Sequence, residues 1–212
     1  MHIYTLSRLY RQDATRWERK IRELREGRRG AFSPYRPLRE AIIRLLAGDE
    51  QPDNVLIQMN QNATDRRERT VARNSLDFFL AFRENWANRF PTLDTNFMDQ
   101  QINRGLPVVE YQDLILSGSP NFSAFDNRGI LRYVYLMTSA WTIDELQSFE
   151  ELLKIIIEIR YNANPSALWI INLLTGGRVS VPRIQQRVRN RLHDTIALFL
   201  RIRNAEQIEI EE

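Results

Sequence analysis

The sequence predicts an α/β (α+β) fold, with a helix-rich N-terminal half followed by a small central mixed β-sheet flanked by helices. Three observations carry this. Through the first ninety residues, apolar side chains recur mostly at helical spacing. Two apolar runs then read as strands: 130–139, at the centre of the core, and 168–174, nearly continuous as in a strand covered on both faces. Between them, Leu146, Phe149, Leu152, Leu153 and Ile156 form an apolar face broad enough to lie against a sheet.

With 212 residues, 43% of them apolar and 10% aromatic, the chain can bury a substantial core. It reads most simply as one compact unit: a helical region over 1–90 capping an α/β core over 91–204, with an acidic tail over 205–212. The lack of cysteine excludes disulfides, thiol catalysis and cysteine-held zinc or iron–sulfur clusters. His2 and His193, the two histidines, cannot build a histidine-rich metal site. No apolar stretch is long enough to cross a bilayer, and the charged N-terminus lacks the apolar centre of a signal peptide. The expectation is an intracellular protein, cytoplasmic or nucleoid-associated, with no membrane partner. Lys20 and Lys154 are the only lysines, so the basic surface is arginine, whose planar fork suits phosphates and carboxylates. Genomic base composition produces the same bias without a function.

Residues 13–26 predict a helix with Asp13 as N-cap and Gly27 as stop, Trp17, Ile21 and Leu24 on one face, and Arg16, Arg19 and Lys20 among the cations on the others. The basic side is a candidate footprint for nucleic acid; a solvated face balanced by Glu18, Glu23 and Glu26 is the alternative. The pair Pro34 and Pro37 marks a turn, with Pro37 suited to the first position of the helix carrying Leu38, Ile42 and Leu45. Residues 55–59 fit strand or helix, and helix is preferred. A long helix over 64–90, single or broken, carries Val71, Ser75, Phe79, Phe82 and Trp86 on one side, and the aromatics Phe78, Phe79, Phe82, Trp86 and Phe90 read as core.

Residues 108–116 predict one strand ending at a Ser117-Gly118-Ser119-Pro120 turn, and 121–129 a loop. A second strand follows over 131–137, a helix from Asp144 to Asn162, a third strand over 168–174, and a hairpin through Thr175-Gly176-Gly177 into a short fourth strand over 178–181. The last helix, 183–203, aligns Arg183, Arg187 and Arg191 beside an apolar stripe, a candidate grip on a phosphate backbone or a solvated basic face. The tail beyond it is expected to fray.

This order over the second half resembles the core of the PD-(D/E)XK nuclease superfamily, restriction-endonuclease-like, and its RecB-type branch in particular. Asp113-Leu114-Ile115-Leu116 is similar to the branch's Asp and apolar strand, and Met137-Thr138-Ser139 stands where Lys-Thr-Ser is usual. Residues 168–181 are similar to its next strand and hairpin, and Ser7-Arg8-Leu9 to its opening. The resemblance implies a divalent metal held by the motif Asp and an acid on the next strand, with a lysine two residues further on the same face. Those last two positions hold Tyr135 and Met137, leaving Asp113 as the vestigial candidate for catalysis and metal binding. Neutral tyrosine and methionine are poor ligands for a hard cation. Glu145 and Phe149 stand where the branch often has Gln and Tyr.

Three readings follow. The preferred one is a catalytically degenerate relative that binds DNA or serves as a scaffold beside a protein partner in a nucleic-acid-processing complex, with no cofactor. The second is an active nuclease using Mg2+ or Mn2+, its acid or lysine moved to Glu110, Glu145, Glu150, Glu151 or Lys154; for Glu150, Glu151 and Lys154 an ordinary helix-surface pair is the alternative. The third is a structural or regulatory module without nucleic-acid binding.

Overall fold

The computed structural model describes residues 3, 6, 7, 35–96, 108–181 and 184–211. The helix expected over 13–26, with Arg16, Arg19 and Lys20, lies outside these, as do Arg8, Leu9 and Arg183.

Among the described residues, three helices between 36 and 85 precede the sheet. Helix α1 (Arg36–Leu46) begins with Pro37 in its first turn, where a missing N–H costs nothing, and buries Leu38, Ala41 and Ile42. Helix α2 (Asn54–Gln61) buries Leu56, so residues 55–59 are helical as preferred. Helix α3 (Arg66–Asn85) starts at a reciprocal capping box: the Asp65 carboxylate accepts from Glu68 N, and the Glu68 carboxylate accepts from the Asp65 backbone. Its inner face carries Ala72, Ser75, Phe78, Phe79 and Phe82, followed by the buried Trp86 and Phe90. Burying each such aromatic stabilises the fold by roughly 1.5–3 kcal/mol, and Phe82 and Phe90 meet the sheet edge-on at Phe122.

The strands are β1 (Thr92–Leu93), β2 (Val108–Tyr111), β3 (Leu114–Ser117), β4 (Phe122–Phe125), β5 (Leu131–Met137), β6 (Leu168–Asn172) and β7 (Gly177–Arg178). Between β5 and β6 lies helix α4 (Ile143–Tyr161), and the chain closes with α5 (Gln186–Glu211). One mixed sheet has the order β1-β4-β5-β6-β7, which puts β5 at its centre. Strands β5 and β6 are parallel, and α4 supplies the crossover such a pair requires.

Alternation along β5 and β6 divides the core. Tyr133, Met137, Leu168 and Ile170 pack on one face with Leu146, Phe149, Leu152, Leu153, Ile156 and Ile157 of α4 and Leu192, Ile196 and Phe199 of α5. Val134, Leu136 and Ile171 pack on the other with Phe122 and Ala124 of β4 and the inner faces of α1, α2 and α3. Both faces are covered, which is why these strands read as continuous apolar runs.

The structure corrects several expectations. Residues 108–116 are not one strand: β2 and β3 form a separate two-stranded hairpin, with Tyr111 opposite Leu114 across the two-residue turn Gln112-Asp113. Both turn residues have positive φ, 49° and 60°, as a type I′ turn demands. Residues 121–129 are not a loop throughout, because β4 lies there and is the antiparallel neighbour of β5. The fourth strand is shorter and earlier than 178–181, and the last helix begins at Gln186 and runs through the acidic tail to Glu211. Helix α4 starts at Ile143, because Thr142 and Glu145 form a capping box, and ends where Asn162 adopts a left-handed conformation.

Candidate functional site

The resemblance requires an acid beside Tyr135 on the strand antiparallel to β5. The structure places Asp113 elsewhere: it is exposed at the tip of the β2–β3 hairpin, whose other turn residue, Gln112, has its Nε2 2.9 Å from His193 Nδ1 on α5. Following the β4–β5 register one step past Phe122 opposite Val134 brings Asn121 opposite Tyr135. Asn121 N donates to Val134 O at 2.7 Å, and its Oδ1 accepts from Leu136 N at 2.6 Å. The side chain thus satisfies the backbone of β5.

Tyr135 and Met137 share the face turned to α4, as residues two apart on a strand must. The Tyr135 ring lies 4.6 Å from that of Phe149, and Trp141 packs 4.8 Å from Phe149 on the same side, with its Nε1 donating to Ser139 Oγ at 3.0 Å. Met137 is only 5% exposed. Met137 is therefore part of the core, an environment in which a lysine ammonium would be costly.

Of the candidates of the second reading, Glu150, Glu151 and Lys154 line one cavity with Arg189, and each acid there has a basic partner. Glu145 caps α4, accepting from Thr142 N at 2.8 Å. Glu150 pairs with Lys154 at 3.0 Å as an i,i+4 helix pair, and Glu151 with Arg189 of α5 at 2.8 Å. Glu110 is exposed on β2. Among the described residues no three of His, Cys, Asp and Glu stand close enough to hold a metal ion together. The donors around Tyr135 are amide, hydroxyl and carbonyl, two arginines stand nearby, and this set does not fit a hard divalent cation.

Those arginines belong to a cavity of about 350 Å³ at the C-terminal end of β5. Tyr35, Arg36 and Arg39 come from the start of α1; Asn121, Tyr135 and Thr138 come from the sheet, and Leu38 and Leu136 complete the lining. Arg36 and Arg39 are three apart, so one helix face presents both guanidinium groups. Burial pulls the Arg39 guanidinium below its usual range, and the like charge of Arg36 pulls it further. It remains a cation at neutral pH all the same. Sequence reasoning passed over both arginines. Their i,i+3 spacing just after a turn was the available signal, but residues 35–39 and 121–138 meet only in the folded chain.

Two further sites complete the electrostatics. On α5, Arg187 is 70% exposed in its side chain and sits 3.7 Å from Asp144, and Arg191 is exposed one turn later. At the other end of β5, the Asp126 carboxylate accepts from Arg128 N at 2.9 Å, Ile130 N at 3.0 Å and Arg132 Nε at 2.8 Å. Burial would raise its pKa, but the bonds from Ile130, Arg132 and Arg128 outweigh burial and hold it below the ordinary carboxylate range. Arg132 and Arg178 also lie over the Trp169 ring, 5.0 Å and 4.4 Å from its centre.

None of the described helices is long and apolar enough to cross a membrane. Comparison of the chain with models of known protein families, with curated proteins and with solved structures finds no match.

Proposed function

We propose that the chain is a nucleic-acid-binding protein built on a PD-(D/E)XK-like sheet that has exchanged metal chemistry for arginine contacts, serving as a DNA-binding or scaffold component of a nucleic-acid-processing system. The observation that carries this reading is the environment of Tyr135: apolar packing against Phe149 on one side, Asn121 across the strand pair, and a cavity with two arginines at the strand's end. The exposed guanidinium groups of Arg187 and Arg191 add positive charge along α5, which suits contact with a phosphate backbone.

The test is fluorescence anisotropy of the full chain with single- and double-stranded DNA across a salt series, together with a cleavage assay in Mg2+ and in Mn2+. Binding that weakens by at least about tenfold between 50 and 200 mM salt, without cleavage, is the expected result. Cleavage abolished by Asp113→Ala would restore the metal-dependent nuclease. Absence of binding even at low salt would leave the structural or regulatory module.

A further inference from the structure

We propose that the β7 edge of the sheet carries an arginine site, built on the paired indoles of Trp86 and Trp169, that takes single-stranded nucleic acid by stacking its bases on guanidinium planes. This rests on the reading of the chain as a nucleic-acid-binding protein and names the form of the strand and the surface that holds it.

The arginines are held by aromatic rings. Arg178 of β7 lies 4.4 Å from the centre of the Trp169 ring, Arg132 of β5 lies 5.0 Å from the same ring, and Arg89 lies 5.0 Å from that of Trp86. The two indoles meet edge-on at 6.2 Å, so three guanidinium groups surround one aromatic pair. Both rings are anchored: Trp86 is buried and donates to Gly176 O in the turn that leads into β7, and Trp169 packs 5.7 Å from Phe90. Arg89 and Arg178 are exposed. A guanidinium laid on a fixed ring has less rotamer freedom to lose on binding than one on a solvated stem. The surface lies at the start of β5 and β6, away from the cavity at the other end of β5.

Charge points to an anion. Among the described residues, Arg132 alone of the three has a carboxylate partner, Asp126 at 2.8 Å. Glu150, whose field reaches Arg178, is bonded to Lys154 at 3.0 Å. Burial lowers the pKa of the Arg178 guanidinium, the like charge of Arg132 lowers it further, and Glu150 offsets part of this; the group stays a cation at neutral pH. A guanidinium stacked on a ring keeps its N–H rim for phosphate oxygens and its second face for a base. Bases offer their faces only when unpaired, which favours a single strand over a duplex. An acidic peptide would supply carboxylates for the rims and nothing for the planes.

The experiment is an anisotropy titration of the full chain with a fluorescent oligodeoxynucleotide, single-stranded and as its duplex, across a salt series. The single strand is expected to bind at least about fivefold more tightly than the duplex, the scale of one base stack. Arg178→Gln and Arg89→Gln should each weaken single-strand binding about five- to hundredfold and flatten the slope of log K against log salt by about 0.7. Arg178→Lys should keep that slope and lose affinity, since charge survives and the plane does not. Arg67→Gln, exposed at the far end of α3, should leave the single-strand preference as it is. Circular dichroism checks the fold of each variant, and Arg89→Gln carries the test if Arg178→Gln unfolds.

Equal binding of strand and duplex, or single-strand binding that survives in Arg89→Gln and Arg178→Gln, overturns this site and leaves the nucleic-acid reading standing. Wild-type affinity in Arg178→Lys overturns the stacking. Polyglutamate that competes as strongly as an unlabelled strand of equal charge assigns the surface to acidic peptides and overturns the proposal. If neither strand nor duplex binds at low salt, both readings fall.

Discussion

The two hairpins that precede α4 are built on opposite terms. Strands β2 and β3 turn through Gln112-Asp113, two non-glycine residues in left-handed conformation, and stand outside the main sheet with Ile115 60% exposed. Strands β4 and β5 turn through 126–130, where Gly129 takes the positive φ and the Asp126 carboxylate gathers two backbone N–H groups and Arg132. Phe122 and Ala124 of that hairpin are fully buried. The difference teaches that an aspartate beside an apolar strand is weak evidence of chemistry. Asp113 holds a turn, and Asp126 fastens the end of the central strand.

The contrast can be broken by substitution. Phe122→Ala removes a ring with edge contacts to Phe82 and Phe90, 6.0 Å and 5.7 Å between centres, and should lower unfolding free energy by about 3–5 kcal/mol in denaturant titration. Gly118→Ala, in the turn joining the two hairpins, would place a methyl group 2.6 Å from Ile3 Cγ1. A loss of about 1–3 kcal/mol is expected, partly recovered in combination with Ile3→Ala. Non-recovery in that double mutant would show that the strain lies in the turn and not against Ile3.

Asp126→Asn should cost less than either, and its cost should depend on pH. The folded-state pKa is depressed, so the stabilisation is complete above the unfolded value of about 3.9 and is lost as pH falls through the folded value. Melting temperatures of wild type and variant should therefore differ at pH 7 and converge as the solution is acidified below pH 4. A gap that stays constant would mean the carboxylate charge is not what the turn uses. The smallest effect has the opposite sign. Asp113→Gly relieves a positive φ in a position that favours glycine and should raise stability by about 0.5–1 kcal/mol, whereas Asp126→Gly should destabilise.

Legibility in the sequence follows the same physics. Strands β5 and β6 and helix α4 were readable because burial on both faces or one broad face leaves an apolar pattern that few other structures produce. Strand β4 was not, because Phe122-Ser123-Ala124-Phe125 lacks β-branched residues and is bounded by Asn121 and Asp126, which look like loop. Its strand identity comes from pairing with β5. The break at Gln112-Asp113 was hidden because this pair is not one of the usual type I′ pairs. For the cavity, Pro37 marked the start of α1, but nothing local places Arg36 and Arg39 at the end of a strand a hundred residues away.

The contact between the helical layer and the sheet carries an optical consequence. Trp86, just after α3, donates its Nε1 proton to Gly176 O at 2.9 Å and meets Trp169 of β6 edge-on, 6.2 Å between centres. Two indoles at that separation couple as excitons through their strong transitions, so docking of α3 on the sheet should write a couplet into the far-ultraviolet circular dichroism. Trp141, beside Phe149 on the opposite face, stands apart from that pair as a separate fluorophore. Assembly of one side of the sheet can thus be timed against the other with light alone, and Trp86→Phe would silence the first signal while preserving the second.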